Sequence, residues 1–410
     1  MDATTLGKSY YILDKVLRAG AYLNIELNSL KDDGDKNTVV KLVYGTLENY
    51  YECVYVLKSL VVRMPKPKFR ALLFQAIYAL RHMGAAPYAV VDSSVELAAR
   101  IGGSDIKGFV NAVLKKVAAG KPEKMPSPDS DEGLEIAANA PLWLVKRIEK
   151  EGYDAVNVLK PRAEKRKHIR LTSKCSDGEF DEKGANAERS ETGGYYVDVT
   201  PAISALIAEG KAVYQSPSSM AAVEAFGDLS GKRFLDLCAA PGGKAVFAAE
   251  RGAEVTACDI HPHRTELIGA YAKRVGVNIK TLTNDGTVYR EEFDSAFDCV
   301  LTDVPCSGLG VISSRPDIAL NRKSEDIEAL TKIQSALISV AARYVKPGGL
   351  LVYSTCTLTA CENGDRIEKF LKGNGEFCIE GYGIVAEGIR TILPDDRMDG
   401  FFIARMRRKA

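Results

Sequence analysis

From Gly231 onward, short hydrophobic segments typical of β-strands alternate with longer amphipathic segments typical of α-helices. The expected strands are RFLDLC, EVTACD, IKTLTN, FDCVLTD, LLVYSTC and, near the end, DGFFIARMRR. Strands that are joined by crossover helices lie parallel in a doubly wound sheet. The sequence therefore predicts an α/β domain with a central parallel sheet over residues 215–410.

The chain has 410 residues, which is more than one hydrophobic core usually serves. Apolar residues recur at intervals of three and four in the first part, so residues 1–120 are predicted to be all-helical. A segment rich in proline, serine and acidic residues follows and is predicted to be a linker, residues 121–136. A mixture of helical and strand patterns then predicts a small α+β subdomain over residues 137–214.

Composition and charge exclude several classes of protein. The formal net charge is +1, so a nucleic-acid partner would need a basic surface that is local. No apolar run resembles a signal peptide or a membrane span, and a cytoplasmic protein without a membrane partner is expected. The nine cysteines form no CxxC pair, so neither a disulfide framework nor a metal site is expected.

The first motif with chemical content is LDLCAAPGGK, which runs from Leu235 to Lys244. It joins a buried strand to a helix through a turn that contains two glycines. Ligands of open α/β sheets bind beyond the carboxyl ends of the strands, and glycines allow close approach of the backbone. The motif predicts a ligand site, although a tight connection without a ligand would also explain it.

Two aspartates follow the next two strands. Asp259 ends the strand EVTACD, where an acidic residue typically binds the ribose hydroxyls of a nucleoside. The alternative is an aspartate that caps the next helix. Asp285 could contact the adenine side of the same nucleoside, or it could belong to a simple Asp-Gly turn.

Two cysteines are expected at the same edge of the sheet. Asp303 and Cys306 lie in TDVPCSGLG, and Cys356 lies just beyond the strand of VYSTCT. A thiolate that adds to carbon 6 of cytosine makes carbon 5 nucleophilic enough to accept a methyl group. Asp303 could hydrogen-bond the ring, and a nearby base would remove the proton from carbon 5. Cysteines 238, 258 and 299 have the pattern of buried structural residues.

The motifs CAAPGGK, DVPCSG, KPGG and STCT, in this order and spacing, resemble the RNA cytosine-5 methyltransferases of the Nop2/NSUN/RsmB group. This resemblance covers residues from about Gln215 to the C-terminus. The segments LVYGTLENYY, FQAIYALRHM and GFVNAVLKK resemble a NusB-type helical RNA-binding domain. The layout is that of the members of the group that act on bacterial small-subunit (16S) ribosomal RNA, with a small RNA-recognition-like subdomain in between.

The resemblance implies a Rossmann-like catalytic domain that uses S-adenosylmethionine. It implies Cys356 as the nucleophile and Cys306 as the residue that assists release of the methylated base. In DNA cytosine-5 methyltransferases the cysteine of the Pro-Cys motif is the nucleophile, which would favour Cys306; the Thr-Cys motif moves the assignment to Cys356. The implied cofactor contacts are Cys238, Ala239, Ala240, Pro241, Gly242, Gly243, Lys244, Asp259, Asp285 and Asp303.

RNA is the expected partner, and several alternatives remain at this point. The densest basic run, KPRAEKRKHIR from Lys160 to Arg170, could contact phosphates or be a solvated surface. The C-terminal RMRRK could be a second contact or a frayed tail. Instead of 16S ribosomal RNA, the substrate could be a transfer RNA. The chain could also be a methyltransferase of another class, or a non-catalytic RNA-binding factor of ribosome assembly.

Overall fold

A computed structural model of the chain describes residues 3–30, 34–122, 124–162, 166–183 and 186–410. These residues form two compact units. The first unit comprises the chain up to Pro161 together with Ile312–Arg322, and the second comprises Arg162–Val311 and the chain from Lys323 onward. Residues 137–161 thus belong to the helical unit, and the finer division into four parts stays a prediction.

The first unit is helical, as the periodicity of the sequence predicts. Its core is formed by the apolar faces of the helices, and α5 is buried along most of its length. The helices are α1 (Ala3–Ala19), α2 (Leu23–Asn28), α3 (Lys36–Glu48), α4 (Tyr50–Leu60), α5 (Pro67–His82), α6 (Pro87–Gly102), α7 (Ile106–Ala118), α8 (Asp131–Ala138), α9 (Leu142–Lys150), α10 (Ala155–Leu159) and α16 (Asp317–Asn321).

One of these helices begins inside the predicted linker. The Ser130 side chain accepts a hydrogen bond from the Gly133 N–H, which caps α8. The polar composition of this segment is typical of a linker. It also fits the start of a helix, because acidic side chains in the first turn stabilise a helix N-terminus. α16 comes from the distant part of the chain, and its Asp317 Oδ2 accepts a hydrogen bond from the Leu23 N–H at 3.3 Å.

The second unit begins with a small antiparallel sheet. Its strand order is β2 (Glu188–Arg189), β3 (Tyr195–Val197), β1 (Lys167–Leu171) and β4 (Ala212–Tyr214). Two helices accompany it, α11 (Asp177–Lys183) and α12 (Pro201–Ala208). α11 and β2 lie in the polar segment from Cys175 to Gly194, whose composition does not predict them.

The larger sheet has the doubly wound order that the sequence predicts. Its path is β10-β12-β9-β8-β5-β6-β7, and β11 pairs with β12. The five strands from β9 to β7 are parallel, and the pairs made by β12 are antiparallel. The strands are β5 (Arg233–Asp236), β6 (Glu254–Asp259), β7 (Ile279–Thr283), β8 (Phe297–Asp303), β9 (Val345–Thr355), β10 (Phe377–Ile379), β11 (Ile389–Ile392) and β12 (Phe401–Arg408).

Helices cover this sheet, and its buried strands carry two apolar clusters. The helices are α13 (Pro217–Glu224), α14 (Gly243–Glu250), α15 (Pro262–Val275), α17 (Ser324–Tyr344) and α18 (Gly364–Gly373). β6 lies on one side of β5 in the sheet, and β8 lies on the other side. The carboxyl ends of β5 and β8 therefore flank a topological switch point. The predicted fold class is confirmed.

Within the described ranges, no helix is long and apolar enough to cross a membrane. The same residues contain no group of three or more histidine, cysteine, aspartate or glutamate side chains that could hold a metal ion.

Candidate active site

The glycine turn of the first motif lies between the carboxyl end of β5 and the start of α14. Gly242 has φ +110°, a conformation that side-chain-bearing residues rarely adopt, and a Cβ there would approach Ile268 at 3.3 Å. At Gly243 a Cβ would meet open space. The turn therefore presents backbone at a helix N-terminus, where a negative or polar ligand group is stabilised.

Asp236, the last residue of β5, was not singled out from the sequence. Its side chain is 1% exposed, and neither carboxylate oxygen has a well-formed hydrogen bond. Burial, and next the Asp303 carboxylate, raise its pKa to about 7. A buried carboxylate without a partner is costly, so this geometry fits a site whose ligand supplies a donor or a positive charge.

Asp259 lies at the carboxyl end of β6 and is also buried. Its Oδ1 accepts a hydrogen bond from the His261 N–H at 3.1 Å, and Arg264 Nη1 lies 3.4 Å from Oδ2. The helix that follows, α15, has His261 as its N-cap residue and no side-chain cap, so Asp259 does not take the helix-capping role that was the alternative. Its carboxylate keeps further acceptor capacity.

Asp285 is exposed, and its Oδ1 accepts hydrogen bonds from the backbone N–H and the hydroxyl of Thr287 at 2.9 and 2.7 Å. These bonds lower its pKa. The neighbouring Asn284 is buried, and its Nδ2 has no partner among the described residues. Asn284 is thus a second buried polar group at this edge that sequence reasoning missed.

Asp303 ends β8 and connects two motifs. Its Oδ2 accepts a hydrogen bond from Lys244 Nζ at 2.6 Å, and its Oδ1 accepts one from the Ser354 hydroxyl at 2.7 Å. Burial alone would lower the pKa of Lys244, but the Asp303 carboxylate outweighs it and raises that pKa. The Asp303 carboxylate therefore links the glycine motif, β8 and β9.

The two predicted cysteines lie in contact. The sulfur atoms of Cys306 and Cys356 are 3.3 Å apart, and both side chains are partly buried. The hydrogen bond with Cys356, and then burial, raise the pKa of the Cys306 thiol well above its usual range. Two thiols in such proximity can share a proton.

Backbone hydrogen bonds join the segments around the two thiols. The Gly310 N–H donates to the Cys356 carbonyl at 2.9 Å, and the Gly400 N–H donates to the Gly310 carbonyl at 2.7 Å. A Cβ at Gly310 would lie 2.5 Å from the Gly400 carbonyl oxygen, so this close approach requires glycine.

Of the three cysteines with the pattern of buried structural residues, two are buried and the third, Cys238, is partly buried. Cys258 and Cys299 are buried within β6 and β8, and burial raises the pKa of each thiol to about 12. Burial also raises the pKa of Cys238, which packs against the apolar cluster that contains Cys258. Thiols with raised pKa values are poor nucleophiles.

The basic segments are largely engaged in internal contacts. Arg162 pairs with Asp399, Arg166 with Glu188, and Arg170 with Glu250. Ala163, Glu164 and Lys165 of the same run lie outside the described residues. The C-terminal RMRRK is mostly part of β12, where Arg405 and Arg407 pair with Glu380, so it is not a frayed tail.

Solved structures share this architecture. The protein PH0851 superposes with a TM-score of 0.82 at 23% identity, over 98% of both chains. NSun6 from Pyrococcus horikoshii, solved with SFG, has a TM-score of 0.54 at 22% identity and covers 65% of this chain and 97% of its own. A protein described as a methyltransferase homolog from Pyrococcus horikoshii gives the same TM-score of 0.54. These likenesses show a shared fold.

Sequence comparison gives the family. The model described as 16S rRNA methyltransferase RsmB/F matches residues 228–407, and that of the NusB family matches residues 10–119. The probable ribosomal RNA small subunit methyltransferase B of Bacillus subtilis (strain 168) is 32% identical over 97% of both chains. The ribosomal RNA small subunit methyltransferase B of Enterobacter sp. (strain 638) is 29% identical over 96% of both.

The chain belongs to the RsmB/F family of methyltransferases and carries an N-terminal NusB-like domain. It is an RNA methyltransferase that uses S-adenosylmethionine, and the resemblance found in the motifs is confirmed. The unpartnered Asp236 carboxylate and the open glycine turn fit this cofactor, which carries positive charge at its ammonium and sulfonium groups.

Proposed function

We propose that the enzyme methylates carbon 5 of a cytosine in small-subunit (16S) ribosomal RNA through a covalent adduct with Cys356. The observation that carries this proposal is the pair of thiols, 3.3 Å apart at the carboxyl edge of the sheet, beside Asp303. Methyltransferases that act on exocyclic amines need no such pair. Because its substrate would be ribosomal RNA, the enzyme would act in the cytoplasm.

In this mechanism the Cys356 thiolate adds to carbon 6 of the cytosine, and carbon 5 gains the electron density to attack a methyl group. Bound S-adenosylmethionine supplies that methyl group. A base then removes the proton from carbon 5, the double bond between carbons 5 and 6 re-forms, and the Cys356 thiolate leaves. The target base must be out of its stack to reach the thiols.

Cys306 has the properties of a proton carrier. Its sulfur lies 3.3 Å from that of Cys356, close enough for the two thiols to exchange a proton, which supports a role for Cys306 in release of the product. The expulsion of the Cys356 thiolate would be favoured by a neighbouring S–H donor.

Asp303 is held by Lys244 and Ser354 and would accept a hydrogen bond from the cytosine amino group, and one from ring N3 once N3 is protonated in the adduct. The segment from Cys238 to Lys244 would hold the cofactor, with Asp259 at the ribose hydroxyls. Asp236 is added to this set because its buried oxygens are without a partner. Asp285 would contribute at the adenine side, where the buried Asn284 is the better-placed polar side chain.

Ribosomal RNA is favoured over transfer RNA by the curated relatives, which match over nearly the whole chain and are named small-subunit methyltransferases. Residues 1–120 and 137–214 would supply RNA binding, and the polar segment 121–136 would connect them. A non-catalytic role in ribosome assembly would not explain the paired thiols.

Bisulfite sequencing of RNA from cells with and without the gene tests the proposal. We expect one cytosine of the small-subunit RNA to lose protection from bisulfite when the gene is deleted, and to regain it when the gene is restored. A gene encoding the Cys356→Ala enzyme should not restore protection. A loss confined to transfer RNA, or no loss at all, would overturn the assignment of the substrate.

A further inference from the structure

Glu362 is a fully buried carboxylate next to both thiol-bearing loops, and none of the motif reasoning used it. It ends the short 3-10 turn Ala360–Glu362 that follows the Cys356 loop. Burial of a carboxylate is costly unless hydrogen bonds compensate, so its partners indicate what the residue does.

Its two oxygens accept hydrogen bonds from both loops. Oε1 accepts from the Ser307 N–H at 2.8 Å, and Oε2 accepts from the Ser307 hydroxyl at 2.5 Å. On the other side, Oε2 accepts from the hydroxyls of Thr357 and Thr359 at 3.3 and 2.7 Å. Ser307 directly follows Cys306 and Thr357 directly follows Cys356, so one side chain joins the neighbours of both thiols.

Asn363 and Gln334 extend the same arrangement. Asn363 Oδ1 accepts from the Thr355 hydroxyl at 2.6 Å, and its Nδ2 donates to the Thr357 carbonyl at 2.9 Å. It therefore holds the backbone on both sides of Cys356. Gln334, on α17, donates to Glu362 Oε1 and to the carbonyl of Pro305, the residue before Cys306, each at 3.0 Å.

We infer that Glu362 and Asn363 form a polar clamp that fixes the distance between the two sulfur atoms. They are positioning residues, since they act through the loops and have no contact with the thiols in these hydrogen bonds. The effect of the clamp on methyl transfer rests on the proposed function, whereas its effect on the distance between the sulfur atoms does not. A displacement of about 1 Å between reacting groups can lower a rate by about 100-fold.

The distance between the thiols can be measured without RNA or cofactor. Diamide oxidises two neighbouring thiols to a disulfide and takes up both hydrogen atoms, so its rate of cross-linking reports their proximity. In the full-length wild-type chain we expect rapid formation of a Cys306–Cys356 disulfide, mapped by mass spectrometry of its peptides. In Glu362→Ala we expect this cross-link to form about tenfold more slowly or worse, since the loops lose their common anchor.

Two variants separate positioning from general loss of stability. In Glu362→Gln the amide oxygen can still accept hydrogen bonds from the two N–H donors, and the hydroxyl groups can rotate to accept from the amide NH2 group. Most of the cross-linking rate should therefore return. Asp298→Asn is the matched control, because that carboxylate holds Lys346 and the Arg233 N–H at the amino end of β8. It should lose stability while the cross-linking rate stays at the wild-type value.

Ser307→Ala provides a milder test should Glu362→Ala fail to fold. It removes the hydroxyl that links Glu362 to Thr357 at 2.7 Å and keeps the backbone bond. We expect an intermediate cross-linking rate and a lower kcat for methyl transfer, with little change in the KM for S-adenosylmethionine. Wild-type cross-linking rates in Glu362→Ala, or in Ser307→Ala if Glu362→Ala does not fold, would overturn the clamp. Rapid cross-linking without any methyl transfer to RNA by the wild type would instead overturn the proposed function alone.

Discussion

At the scale of single residues, the carboxyl edge of the sheet concentrates groups that are costly to bury. The hydrogen bond with Cys356, and then burial, raise the pKa of the Cys306 thiol, and burial, followed by the Asp303 carboxylate, raises the pKa of Asp236. Functional sites often contain such perturbed groups, since the ligand rather than the protein completes them. Stability is therefore reduced where the chemistry takes place.

Asp236 gives a prediction with a definite sign. The folded state retains a proton on this carboxyl up to about pH 7, whereas the unfolded chain releases it near the usual aspartate pKa. Raising the pH through this window therefore lowers the free energy of unfolding. We expect Asp236→Asn to gain stability relative to the wild type between pH 5 and pH 8, in thermal melts without cofactor, and to bind S-adenosylmethionine more weakly in calorimetry.

Asp298→Asn is the control for this trend. Burial raises the pKa of Asp298, but the Lys346 hydrogen bond outweighs it and the pKa is lowered. The variant should be less stable than the wild type at both pH 5 and pH 8. A stability difference between Asp236→Asn and the wild type that does not change with pH would contradict the explanation.

The sequence predicted the two cysteines at one edge because each follows a strand of the parallel sheet. It could not predict that the sulfurs would touch, since that depends on loop contacts such as those of Gly310. Asp236 lies within a recognised motif, yet the sequence does not reveal that its oxygens lack partners. Glu362 was missed because its donors come from three separate segments.

At the scale of the elements, the strong patterns were predicted closely. β6 and β8 coincide with the predicted strands EVTACD and FDCVLTD. The misses are short polar elements, α11 and the start of α8. Their helices depend on caps and on packing that a hydrophobic periodicity does not report.

Arg170 connects β1 of the small sheet to α14. It lies 2.6 Å from Glu250 and stacks over the Phe247 ring at 4.6 Å, with both charges almost fully buried. Arg170→Met leaves a buried Glu250 carboxylate and should cost about 3–5 kcal/mol of unfolding free energy in urea titrations. The double variant with Glu250→Leu should recover most of this loss. A double variant no more stable than Arg170→Met would show that the pair is not the cause.

At the scale of the whole molecule, the two units have separate apolar cores, one in the helices and one on each face of the large sheet. A ligand that binds one unit stabilises that unit by mass action, by about 2.7 kcal/mol at 100 times its Kd. In calorimetry we expect two unfolding transitions, of which S-adenosylmethionine shifts one. A single transition that the cofactor shifts as a whole would show that the units unfold as one cooperative body.

The covalent adduct is the central claim, and one denaturing gel tests it directly. The Cys306→Ala and Cys356→Ala enzymes are each incubated with unmodified small-subunit RNA and S-adenosylmethionine, and the products are separated under denaturing conditions. We expect an RNA-linked protein band for Cys306→Ala, with the RNA attached at Cys356, and none for Cys356→Ala. A band that forms with Cys356→Ala instead, attached at Cys306, would contradict it.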